Sequence, residues 1–147
     1  MPDKRKNLNE VYIFHLEKAF KQFKKYKNKV LKAAGIDLTS DQWVILKGIS
    51  ELEGISQIDL AKRTFKEPAS VTRILDILER KGLVERRDVD HSRRTYGLWM
   101  TESGKQLVEK MIPLAIEIRA KGVSGMSDIE QAQLQQLLIK LYDNFKI

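Results

Sequence analysis

Pro68-Ala-Ser-Val-Thr-Arg-Ile-Leu-Asp-Ile-Leu-Glu-Arg-Lys-Gly82 separates cleanly into two faces. Val71, Ile74, Leu75 and Leu78 recur at intervals of three, one and three residues, which is one side of an α-helix. The other side carries Ala69, Ser70, Arg73 and Arg80. An apolar side must be buried, which leaves the polar side to solvent or a partner. Small residues near a helix start permit close approach to a base-pair edge, and an arginine fork there can read guanine. Gly82 supplies the residue that ends the helix.

A shorter helix is expected just before this one, opening at Ser56 with Gln57 in its first turn. After Gly82, Leu83-Val-Glu-Arg-Arg87 and Tyr96-Gly-Leu-Trp-Met100 have strand character, with branched or aromatic residues in rough alternation. Between them Asp88-Val-Asp-His-Ser-Arg-Arg94 forms a polar hairpin tip. Arg93 and Arg94 at such a tip suit the narrow minor groove, whose negative potential attracts guanidinium. Solvated turn charges are the alternative for these two arginines, and the helix pair in front of them favours DNA contact. The pattern predicts a mainly α chain with a small β-wing, a winged helix-turn-helix.

The flanks are helical and unusually apolar. A first helix is expected from Asn7 to Ala34, with Leu8, Tyr12, Leu16, Phe20, Phe23, Val30 and Leu31 on a face committed to the core. Lys18, Lys21, Lys25, Lys29 and Lys32 form a stripe on the opposite face, read as solvated, while Lys27 falls within the apolar face. Capping pairs mark later helix starts at Thr39 with Gln42, Ser56 with Asp59, and Ser127 with Glu130. A further helix should begin at Thr101 and run to Lys121, kinked at Pro113. Gly122 and Gly125 bracket the break before a last helix. Its Ile129, Leu134, Leu137, Leu138, Leu141, Tyr142 and Phe145 exceed what a lone terminal helix needs.

A second copy of the chain is the simplest cover for that surface. A two-fold dimer would hold two recognition helices about 34 Å apart, one turn of a pseudo-palindromic duplex. A monomer whose terminal helices cap its own winged unit is the alternative. The expected organisation is one domain over 1–147. Residues 39–101 make up the winged helix-turn-helix, and residues 1–34 and 102–147 the dimerisation helices.

At 147 residues, 42% of them hydrophobic and 32% charged, the chain suits a soluble globular domain. Without cysteine it forms no disulfide and no thiolate metal site, and its apolar runs are too short to span a bilayer, so a cytoplasmic location is expected. The net charge of +7 points to a polyanionic partner, yet it is unevenly held. Residues 1–34 carry +7, residues 35–55 carry −3, residues 56–104 only +2, and residues 105–147 +1. Recognition must therefore rest on where the charges point. His15 and His91 are the only histidines, and the glycines are scattered, so neither a metal or cofactor site nor an enzyme is expected.

The run from Leu38-Thr-Ser-Asp-Gln-Trp43 to Met100-Thr-Glu-Ser-Gly104 resembles the MarR family of bacterial transcriptional regulators. The matching pieces are Ser56-Gln-Ile-Asp-Leu-Ala61, Ser70-Val-Thr-Arg73, Leu78-Glu-Arg-Lys-Gly-Leu-Val84, Arg93-Arg94, and Thr101 followed by Gly104. Ser92 stands where the family's usual pattern has an acidic residue. The resemblance covers nearly the whole chain and also implies a dimer. It further implies a small aromatic or phenolic effector between the dimer helices and the DNA-binding unit. Phe20, Trp43, Leu46 and Met111 would line that pocket, with Lys27 or Arg87 meeting a carboxylate; ordinary core packing is the other account of these residues.

Together these features predict a homodimeric, sequence-specific reader of double-stranded DNA, a repressor. Ser70, Thr72 and Arg73 would read the major groove with Ala69 allowing approach, Gln57 would fix register on phosphate, and Arg93 and Arg94 would enter the minor groove. The alternatives are a winged-helix protein-interaction module without specific DNA binding, and a first helix that lies on a membrane surface through its lysines. A membrane partner is not expected, since the apolar face of that helix is assigned to the core.

Overall fold

The computed structural model describes residues 5–88 and 96–147. Its contacts divide the chain into two compact units, Met1–Leu114 and Ala115–Ile147.

In the first unit, the Asn7 N–H donates to the Glu10 carboxylate at 2.9 Å and closes a short 3-10 turn over Leu8–Glu10. The β-branched Val11 then takes extended backbone, φ −102° and ψ 118°. Helix α1 (Tyr12–Ala33) therefore starts later than the expected Asn7. Its apolar stripe also departs from expectation, because Leu8, Tyr12, Leu16, Phe20 and Phe23 are exposed and only Leu31 and Lys27 are buried. The reason is reach. A helix of this length spans about 33 Å, and it meets α2 (Ser40–Glu51) through its later turns, where Asn28 Oδ1 accepts the Ser40 N–H at 2.7 Å.

Thr39 and Gln42 cap α2 reciprocally, at 3.2 and 3.1 Å. Behind the cap, Ile45, Leu46 and Ile49 are fully buried. Gly48 lets α3 (Gln57–Thr64) approach closely, since a Cβ there would lie 2.9 Å from Leu60 Cδ1. Leu60 then packs into one core with Val71, Leu75 and Leu78 of α4 (Pro68–Arg80), each buried side chain contributing about 2 kcal/mol of transfer free energy. Ile74, expected in that core, is only half-buried because it lies along a cleft beside Arg73 and Ile77. The α4 terminus closes as the sequence predicts. Gly82 adopts φ +71°, and Leu83 N–H donates to Leu78 O at 3.0 Å.

β2 (Val84–Asp88) and β3 (Tyr96–Met100) pair antiparallel, with Val84 opposite Met100 and Arg86 opposite Leu98. The two-residue β1 (Ile55–Ser56), too short to show alternation in sequence, adds to the other side of β3. Opposed residues share a face. Val84, Leu98 and Met100 make one face apolar and buried, and Arg86 falls on it.

Thr101 fixes the start of α5 (Glu102–Gly122): its hydroxyl donates to Gly82 O at 2.6 Å and accepts the Gly104 N–H at 3.0 Å. Val108 and Met111 extend the core, and Pro113 lies inside the helix just before the unit boundary.

In the second unit, Gly125 at φ +84° precedes α6 (Asp128–Phe145), which Ser127 and Glu130 cap reciprocally at 3.1 Å each way. No residue of α6 is buried, and Ile129, Leu134, Leu137, Leu138, Tyr142 and Phe145 are all exposed. Among the described residues no helix is long and apolar enough to cross a membrane.

Candidate nucleic-acid interface

Packing of Val71, Leu75 and Leu78 inward leaves Ala69, Thr72 and Arg73 exposed along α4, with Ser70 half-buried between them. Pro68 in the first turn costs the helix nothing, because its missing N–H would have had no partner there. Thr72 is held twice. Its hydroxyl donates to Pro68 O at 3.0 Å and accepts from the Gln57 side-chain amide at 2.5 Å. Gln57 is thereby braced against the recognition helix from the first turn of α3. Arg73 Nη2 reaches Ser70 Oγ at 3.4 Å, a long contact that leaves most of the guanidinium's donors to other partners.

Five of the seven residues expected to meet DNA thus lie on neighbouring parts of α3 and α4 in one unit: Gln57, Ala69, Ser70, Thr72 and Arg73. Arg93 and Arg94, with Ser92, lie outside the described residues.

The six residues expected around an effector are placed as follows. Lys27 and Trp43 meet, the ammonium 5.5 Å from the indole centroid and 5.8 Å from that of Phe23. Leu46 and Met111 are wholly buried as core. Phe20 is exposed on α1, stacked on Phe23. Arg87 lies over Trp99 at 5.1 Å and pairs with Glu85, on the sheet face opposite to Leu98.

A different cleft, of about 500 Å³, runs along α4 and is lined by Ser70, Arg73, Ile74 and Ile77 together with Lys24, Asp41 and Lys66. Asp41 accepts from Lys24 Nζ at 2.9 Å and Lys66 Nζ at 2.8 Å, so one carboxylate joins α1, the start of α2 and the turn before α4. Burial alone would raise the Asp41 carboxyl. The hydrogen bonds from Lys66 and Lys24, with the charges of both, outweigh it and hold the group below its ordinary 3.8.

Sequence reasoning missed this triad and one other cluster. Arg86 on β2 donates to Glu79 Oε2 at 2.5 Å and to Asp76 Oδ1 at 3.2 Å, tying the wing strand to the recognition helix. Two signals were available. Asp76 and Glu79 stand three residues apart on one helix face, and Arg86 occupies the inward position of a strand whose other inward residues are apolar.

Residues 38–96 match the model of the MarR family. Among solved structures, the MepR–DNA complex from S. aureus is similar at 26% identity and a TM-score of 0.81, over 92% of this chain and 97% of that one. Bordetella bronchiseptica BpsR, a protein whose DNA binding is regulated by 6-hydroxynicotinic acid, shares the fold at 24% identity and a TM-score of 0.84, over 95% and 99%. So does a MarR variant from E. coli solved with operator DNA, at 23% identity and a TM-score of 0.82, over 93% and 99%. It is thus the winged-helix segment, residues 38–96, that matches the MarR family.

Proposed function

We propose that this chain is a sequence-specific, double-stranded DNA-binding transcriptional regulator that acts as a homodimeric repressor and is released by a small-molecule effector. The observation that carries it is the exposed side of α4, where Ala69, Ser70, Thr72 and Arg73 stand on a helix whose other side is buried and whose neighbour Gln57 braces it. The match of residues 38–96 to the MarR family and the likeness to MepR, solved with DNA, support the same conclusion. Thr72 and Ser70 offer hydroxyl oxygens, Arg73 offers paired donors, and the N-terminus of α3 beside Gln57 suits a phosphate. Arg93 and Arg94 would enter the minor groove.

A second copy is the natural cover for the exposed apolar residues of α1 in one unit and α6 in the other. For the effector, the cleft beside Arg73 is a candidate alongside the surroundings of Lys27 and Trp43, since Lys24, Lys66 and Arg73 line it and could meet a small acid. An occupant there would compete for a residue that reads DNA, which is a direct route to release.

Selection of bound sequences from a random duplex pool, with the winner titrated at several salt concentrations, tests this function. Enrichment of a pseudo-palindrome with half-sites about one turn apart is expected. Weak binding without an enriched sequence would overturn it in favour of a protein-interaction module.

A further inference from the structure

The outward half of α4 carries a charge problem. Arg73 and Arg80 suit a polyanion, but Asp76 and Glu79 stand between them on the same helix, exposed over 52% and 42% of their side chains. Two carboxylates carried toward a phosphate backbone repel it, and the repulsion grows as water is excluded. Arg86 meets both. It comes from the inward face of β2, its side chain is only 25% exposed, and each of its two Nη nitrogens faces one carboxylate.

We infer that Arg86 is a positioning residue for DNA binding, which screens the Asp76 and Glu79 carboxylates from the phosphates and so lets the recognition helix seat in the groove. This rests on the DNA-reading function proposed above. Arg86 itself reads no base: both ends of its guanidinium are committed to the helix. Its effect on binding passes through the charge of its two partners. A simple brace between wing and helix would act differently, because its loss could not be repaired by neutralising the acids it held.

The test compares the wild-type protein, Arg86→Gln, and the triple variant Arg86→Gln/Asp76→Asn/Glu79→Gln on the duplex recovered by selection, over a range of salt, with thermal midpoints measured alongside. Arg86→Gln is expected to weaken binding about tenfold at low salt, with the deficit shrinking as salt screens the freed carboxylates. The triple variant is expected to recover most of the loss. If Arg86→Gln binds as the wild type does, or if the triple variant stays as weak as Arg86→Gln while both remain folded, the inference is overturned. If the wild-type protein itself selects no sequence, the DNA-reading function fails and this inference falls with it; that outcome is visible before any variant is made.

Discussion

The Gln57 side-chain amide donates to the hydroxyl of Thr72, fifteen residues further on and on the other helix of the helix-turn-helix. Thr72 in turn gives its single proton to Pro68 O at 3.0 Å. A hydroxyl that has already donated can serve a base only as an acceptor, so Thr72 is expected to favour exocyclic amino groups over carbonyl oxygens. A double-mutant cycle of Gln57→Ala and Thr72→Val on the selected duplex should show a coupling energy of about 0.5–1.5 kcal/mol. Additive losses would mean that the two residues act on DNA separately.

Arg73 is placed differently, since its hydrogen bond among the described residues is the long one to Ser70. Arg73→Ala should cost about 1–3 kcal/mol on the selected duplex and relax the preference at one base position. Competition between duplexes that differ at single positions measures this. Equal weakening on every sequence would make Arg73 a phosphate contact instead.

How much of this was legible in the sequence depended on range. Val71, Leu75 and Leu78 announced their burial by spacing alone, and Thr39, Ser56 and Ser127 announced helix starts, because both signals lie within a few residues. Ile74 has the same spacing yet borders a cleft, which depends on what lies across from it. The stripe from Leu8 to Phe23 reads as core in any sequence, but a single copy of this chain leaves it exposed. The ties of Asp41 to Lys24 and Lys66 span 17 and 25 residues, and no local pattern marks such partners. The contact of Lys27 with Trp43 joins two helices and is marked no better. Apolar type foretold that Leu46 and Met111 are buried, but not beside what.

Two glycines of α5 should answer the same substitution with opposite signs. A Cβ at Gly104 would lie 2.1 Å from Leu83 O and 3.1 Å from Leu83 C, both backbone atoms that Thr101 pins in place. Gly104→Ala is therefore expected to destabilise the fold by about 1–3 kcal/mol, and to loosen the seat of β2 against α5. At Gly122 a Cβ meets nothing within 4 Å. Gly122→Ala should stabilise the helix by up to about 1 kcal/mol. Denaturant unfolding of both variants gives the comparison; two changes of the same sign would contradict the packing at the α5 start.

Asp41 gives the fold an acid limb. Its carboxyl is held below 3.8 in the folded chain, so protonating it costs more there than in the unfolded chain. The stabilisation is therefore fully present above the unfolded value and is lost as pH falls through the depressed folded one. Asp41→Asn removes the charge at every pH. The thermal midpoint of the wild type should exceed that of Asp41→Asn near neutrality, and the gap should close as pH falls through 3.8 and below. Because the Asp41 side chain is 42% exposed, solvent screens the pair and the gap should narrow with added salt as well. A gap that stayed constant from neutral to acid pH would show that Asp41 acts through its shape and hydrogen bonds alone. The bridge from Lys24 to Lys66 would then hold the turn before α4 without its charge.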